Sequence, residues 1–215
     1  DDVVSVKTID ELVAAITDNT GKTIRLENDI KVNAGYSYSL DDTSGDVNVY
    51  KGEELVFSYV DGEIDSDIPA DFTVISAPWA EHLNGNTLDG NGHTISGLYL
   101  DNIPGLITTL GETDTIKNLK FEDCVHTADP EGYIPEDKPD KTYWHHSGFI
   151  SEYFYGLIEN VTVDAITVAY VPEGATMTRN GGIVGYASEK NALPGGTIKN
   201  TARFGSIYVE NYAEQ

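Results

Sequence analysis

The chain is poor in cysteine, methionine, tryptophan and basic side chains, and most of these shortages remove a class of function. Cys124 is the single cysteine, so neither a disulfide within the chain nor a cysteine-built zinc site is open to it. Thirteen Lys and Arg stand against 36 Asp and Glu, a net charge of −23 that repels phosphate backbones and excludes nucleic acid as a partner. No apolar run is long enough to span a membrane, and no signal-peptide pattern is present. The chain opens on Asp1-Asp2, as a secreted protein does once its leader is removed. Its 215 residues suit one domain, 1–215, with a continuous core. What it has in quantity is glycine (21) and tyrosine (13), a profile that fits a β-rich, exported acidic protein.

One helix is predicted, with residues 8–20 as an N-terminal cap. Thr8-Ile9-Asp10-Glu11 fits a capping box, Ile9, Leu12, Val13 and Ile16 form one apolar stripe, and Gly21 supplies the stop. The rest reads as strand and turn. Val47–Tyr50 and Leu55–Val60 predict a hairpin around Lys51-Gly52. Residues 36–85 hold eleven acidic residues and one basic, Lys51, and so carry −10 of the net charge. Their periodicity differs from that of residues 88 onward, which predicts a β-rich acidic insertion.

From residue 88 the sequence repeats. Ile95-Ser-Gly-Leu98, Ile116-Lys-Asn-Leu119, Ile158-Glu-Asn-Val161 and Ile198-Lys-Asn-Thr201 align, with isoleucines 21, 42 and 40 residues apart. Asn118, Asn160 and Asn200 share one position. A second element precedes three copies, at Gly105-Leu-Ile107, Gly148-Phe-Ile150 and Gly182-Ile-Val184. The Pro- and charge-rich stretch 128–146 reads as a lateral loop. Short strands at such a period cannot bury their apolar residues alone; stacked, they form ladders of Ile, Leu and Val, with Asn at left-handed corners pairing its amide to the next turn. The prediction is an all-β, right-handed parallel β-helix, a solenoid with a short capping helix. Gly205-Ser-Ile207-Tyr-Val209 reads as one more strand without a cap, so the polypeptide is expected to continue beyond Gln215 or to pack there on another chain.

Gly181-Gly-Ile-Val-Gly185-Tyr186 with Gly196-Thr-Ile-Lys-Asn-Thr-Ala-Arg-Phe-Gly-Ser-Ile207 resembles the GLUG repeat. Leu88-Asp-Gly-Asn-Gly-His-Thr-Ile-Ser-Gly-Leu98 and Thr23–Ile30 resemble segments that introduce it. The resemblance implies a bacterial cell-surface protein, similar to the non-catalytic forepart of some immunoglobulin A metalloendopeptidases. Thr201 replaces the usual Cys. The HExxH helix of those enzymes is absent, so their activity does not carry over.

Three patches carry candidate chemistry. Asp89-Gly-Asn91-Gly-His93 starts like a calcium loop, but Leu100 stands where an EF-hand needs Glu, which leaves a tight turn. Asp61, Glu63, Asp65 and Asp67 put four carboxylates in seven residues, either a solvated loop or a weak calcium site, the only cofactor suggested. Tyr143, Trp144, His145 and His146, followed by Tyr153 and Tyr155, form the richest aromatic patch. It reads as a loop plugging the side of the helix, as a ligand surface on which sugars stack, or as a metal site. The favoured function is a non-catalytic secreted or cell-surface module, an adhesin-like or stalk scaffold that binds a protein or glycan partner. The alternative is a polysaccharide lyase or glycoside hydrolase. No carboxylate pair can be nominated for it, and Arg25, Arg179 and Arg203 all lie outside the acidic clusters.

Overall fold

A computed structural model describes residues 2–128, 144–171, 177–187 and 195–211. It is mostly β, with parallel sheets and one helix, Ile9–Asp18, among the described residues. Thr8 Oγ1 accepts from the Glu11 amide at 3.1 Å, and Glu11 Oε2 accepts from the Lys7 amide at 2.7 Å, one residue upstream of the usual box partner. Leu12, Ala15 and Ile16 are buried, so the stripe docks the helix beside the strands Val3–Val6, Thr23–Leu26 and Ala80–His82. Asn19 ends it, and Gly21 (φ +66°) turns the chain into Thr23–Leu26.

The parallel stack is organised in columns. Val4, Ile24, Leu88, Ile116, Ile158 and Ile198 lie in register on six successive strands. Ile30, Ile95, Phe121, Val163 and Arg203 form a second column, and Leu100, His126, Thr167 and Ile207 a third. A separate parallel sheet aligns Ala80, Ile107, Ser151 and Val184. Register partners in the stack stand 20 to 65 residues apart, because the connections between paired strands differ in length.

The columns correct the repeat alignment in two places. Leu88, not Ile95, is the partner of Ile116; Ile95 stands opposite Phe121, farther along the same strand, Thr115–Ala128. Ile116 and Ile95 are each followed two residues later by a left-handed residue, Asn118 (φ 54°) and Gly97 (φ +80°), so the local patterns are alike. Likewise Ser151 opposes Val184, which sets Gly148 level with Gly181 rather than Gly182. The asparagine positions hold as predicted. Asn118, Asn160 and Asn200 all have positive φ, and Asn160 Nδ2 donates to Asn118 Oδ1 at 3.2 Å while Asn200 Nδ2 donates to Asn160 Oδ1.

Residues 36–64 build a four-stranded antiparallel sheet in chain order: Tyr36–Leu40, Val47–Lys51, Glu54–Val60 and Glu63–Ile64. The hairpin predicted at Lys51-Gly52 is there, Gly52 taking φ +61°. Val47, Val49, Phe57 and Tyr59 are buried against Phe72, Tyr99, Val125 and Val168, so the sheet docks on the flank of the stack. Phe57, Phe72 and Tyr99 meet edge to face at 5.1–5.8 Å, a geometry that adds to plain burial. Ala80–His82 already pairs in parallel with Ile107–Leu110, so the last residues of the 36–85 stretch belong to the stack. Of the 128–146 loop, residues 129–143 lie outside the described residues, and Trp144–Ser147 is a strand.

Candidate functional site

Trp144–Ser147 runs parallel to Met177–Asn180, pairing His146 with Arg179 and Ser147 with Asn180. Ser147 Oγ donates to Asn180 Oδ1 at 2.6 Å. This pair of strands lies against Val184–Tyr186, and Gly185 makes the approach possible: a Cβ there would stand 2.7 Å from the Ser147 amide nitrogen. The consequence is a cluster of three rings. The His146 imidazole stacks on Tyr186 with centroids 4.9 Å apart and planes 23° apart. Tyr153 meets His146 edge-on at 5.7 Å and Tyr186 at 6.1 Å. The Arg179 guanidinium lies over the Tyr186 ring at 4.7 Å, a cation–π contact.

Tyr153 and Tyr186 are register neighbours and both are half-buried, whereas His146 is buried. Burial, then the Glu152 carboxylate, pushes the Tyr153 phenol up to about 12, and burial also raises that of Tyr155. Both phenols are therefore neutral at ordinary pH, and that of Tyr153 hydrogen-bonds the Glu152 carboxylate. Of the six residues nominated from sequence, the structure brings His146 and Tyr153 together. Tyr155 lies two residues beyond Tyr153, Trp144 and His145 enter the strand opposite Met177 and Thr178, and Tyr143 lies outside the described residues. Tyr186 and Arg179 were missed as site residues. A signal for Tyr186 existed: Gly148 and Gly181 are each followed five residues later by Tyr.

Elsewhere a concavity of about 220 Å³ opens between the antiparallel sheet and the stack. Tyr36, Tyr38, Asp123, Cys124, Asp164 and Gly205 line it. Burial and then the Asp164 carboxylate raise the Asp123 carboxyl, and burial pushes the Cys124 thiol up to about 12, which leaves it an unreactive thiol. Tyr38 donates to the Gly97 carbonyl at 2.6 Å, and Tyr36 donates to Asp71, which Lys51 meets at 2.8 Å.

The acidic run has local uses. Asp61 takes φ 50° in the turn before Glu63–Ile64, and Asp65 Oδ1 accepts from the Ser58 amide at 2.8 Å and the Ser66 hydroxyl at 3.1 Å. Among the described residues no group of three or more His, Cys, Asp or Glu is placed to hold a metal ion. That covers Asp61, Glu63, Asp65 and Asp67 as well as His146.

A family model described as "putative pectate lyase-like adhesive domain" matches residues 3–141, about two thirds of the chain. No curated protein and no solved structure matches. The matched range holds the helix, the antiparallel sheet and the first turns of the stack; His146, Tyr153, Arg179 and Tyr186 lie beyond it. Among the described residues no helix is long and apolar enough to cross a membrane.

Proposed function

We propose, since the chain belongs to the pectate lyase-like adhesive domain family, that it is a non-catalytic adhesin-like module of a secreted or cell-surface protein, and that it takes a glycan at the His146–Tyr153–Tyr186 cluster. The convergence of three rings from three strands, with Arg179 at their edge, carries this reading. Sugar C–H faces stack on tyrosine rings, and phenol and guanidinium N–H and O–H groups reach ring hydroxyls. Arg179 adds guanidinium N–H donors at the edge of the cluster.

In the same reading the stack is a right-handed parallel β-helix whose turns resemble GLUG repeats, and it serves as a stiff stalk. The six-rung column supports it. Residues 8–20 cap the first turn, and the antiparallel sheet from residue 36 rests on the flank.

A glycan array tests the assignment. Wild-type protein binds a subset of glycans, and Tyr186→Ala and Arg179→Gln each weaken that binding tenfold or more while the far-ultraviolet spectrum is unchanged. Binding that survives both substitutions places the site elsewhere. Release of reducing ends from a bound glycan makes the chain an enzyme and overturns the non-catalytic reading.

A further inference from the structure

Tyr36–Leu40 is an edge of the antiparallel sheet and, among the described residues, pairs with Val47–Lys51 alone. An antiparallel ladder bonds every second pair, and the bonds from the Gly52 amide to Gly35 and from the Asp41 amide to Asp46 fix which pairs those are. Ser37 and Ser39 therefore bond inward, while Tyr36, Tyr38 and Leu40 turn their N–H and C=O groups to the free edge. The Asn33 carbonyl accepts from the Tyr36 amide at 3.1 Å. The Tyr38 amide meets no acceptor among the described residues.

This edge borders the concavity of about 220 Å³. Tyr36 and Tyr38 line it from one face of the pleat and Ser37 from the other, so the strand's edge forms that wall. The opposite wall is a corner of the stack. There a bulge sets Glu122 and Asp123 against Asp164, and Asp123 takes φ 50°. Asp123 and Asp164 both line the concavity, and no ion pair among the described residues involves either. Nearby cations are engaged elsewhere. Lys120 meets Glu122 at 3.2 Å, and Arg203 donates to the carbonyls of Ala165 and Gly182 and to Thr167 Oγ1.

We propose that this groove takes an extended segment of a separate protein by strand addition, its backbone pairing with Tyr38 and a lysine or arginine side chain entering between Asp123 and Asp164. The open edge supplies main-chain bonds, and the two carboxylates select the side chain. A bare metal ion is the poorer occupant, because no third His, Cys, Asp or Glu among the described residues joins the pair to hold one. A second copy is poorer too, since each chain brings a charge of −23.

The test selects a displayed library of random heptapeptides on the 215-residue chain and on its Asp123→Asn/Asp164→Asn variant; asparagine tolerates the left-handed backbone at residue 123. The wild type is expected to enrich peptides with Lys or Arg at a central position, and to bind a synthetic one of them about tenfold or more tightly than the variant does. Saturation with that peptide slows amide exchange at Tyr38 about tenfold or more, and N-methylation of the peptide backbone abolishes both effects. Basic peptides enriched equally on the variant report bulk charge and overturn the proposal. A selected pool with no basic position, unchanged exchange at Tyr38, or an N-methylated peptide that still binds overturns it as well. Protection of Tyr38 that grows with the concentration of the chain alone makes a second copy the occupant and also overturns it. His146, Tyr153 and Tyr186 enter none of these readouts, so this proposal and the glycan assignment fail separately.

Discussion

The parallel stack and the antiparallel sheet on its flank bury similar residues by opposite means. In the stack, Ile158 is covered by Ile116 and Ile198, residues 42 and 40 positions away in sequence, and a strand alone buries nothing. In the sheet, Val47 and Val49 pair with Tyr59 and Phe57 across a short hairpin, and the finished face then docks on Tyr99, Val125 and Val168. Order in the stack is thus shared along a column, whereas order in the sheet is local plus one docking step. The charge follows the same division. The acidic stretch can be strongly negative because its outer face is solvated, while the corners at Asn118, Asn160 and Asn200 pair amide to amide.

The sharpest break of this contrast is a cavity in mid-column. Ile158→Ala removes side-chain volume that neighbours on both sides contact, and is expected to cost about 2–5 kcal/mol, read as a lower midpoint in urea. If the stack behaves as a cooperative column, amide hydrogen exchange in Val47–Lys51 and in Leu157–Val171 speeds up together. Exchange that is unchanged in the sheet shows that docking does not couple the two.

The next effect is on pH and also belongs to the stack. His126 is fully buried with Nε2 2.7 Å from the Ile103 carbonyl oxygen, and burial lowers its pKa from 6.5 to about 4. Protonation is easier in the unfolded chain, so the stabilising contribution is complete above pH 6.5 and declines as pH falls toward 4. The loss across that window is roughly 3 kcal/mol from this group. Urea midpoints at pH 7 and pH 4.5, compared between wild type and His126→Gln, isolate it. The variant is less stable at pH 7 and has the shallower decline. An equal decline in both assigns the acid sensitivity to carboxylates instead.

Much of the stack was legible because a stacked turn repeats its chemistry. Ile116, Ile158 and Ile198 and the asparagines two positions on gave the period, and the helix announced itself through Thr8, Glu11 and its apolar stripe. The offset of the first rung was not legible. Leu88 and Ile95 belong to two strands of one turn that end in similar corners, and only pairing tells which faces Ile116. The site was half legible for the same reason. Aromatic density marked His146 and Tyr153, but the partner of Trp144–Ser147 is a strand more than 30 residues away with no apolar alternation to announce it, so Arg179 stayed hidden. The four carboxylates from Asp61 to Asp67 are close in sequence, yet among the described residues only that of Asp65 is seen to take a backbone amide, and Asp61 turns the chain at φ 50°.

The two smallest expected effects separate corner chemistry from surface charge. Asn160→Ala forces a Cβ residue less tolerant of the left-handed region into a corner at φ 53° and removes amide bonds to Asn118 and Asn200. A cost of about 1–2 kcal/mol is expected, and Asn160→Gly, which relieves the backbone and lacks only the amide, costs less. If the two are equal, the backbone contributes nothing and the ladder alone fixes the corner. Lys51→Gln provides the contrast on the antiparallel sheet. Lys51 meets Asp71 at 2.8 Å, but both are exposed, so solvent and salt screen the pair and side-chain ordering opposes it. No resolvable change in urea midpoint is expected, as for exposed ion pairs in general. A clear loss would mean that the Tyr36–Asp71–Lys51 chain of contacts anchors the edge of the sheet, and that local pairing alone does not hold it.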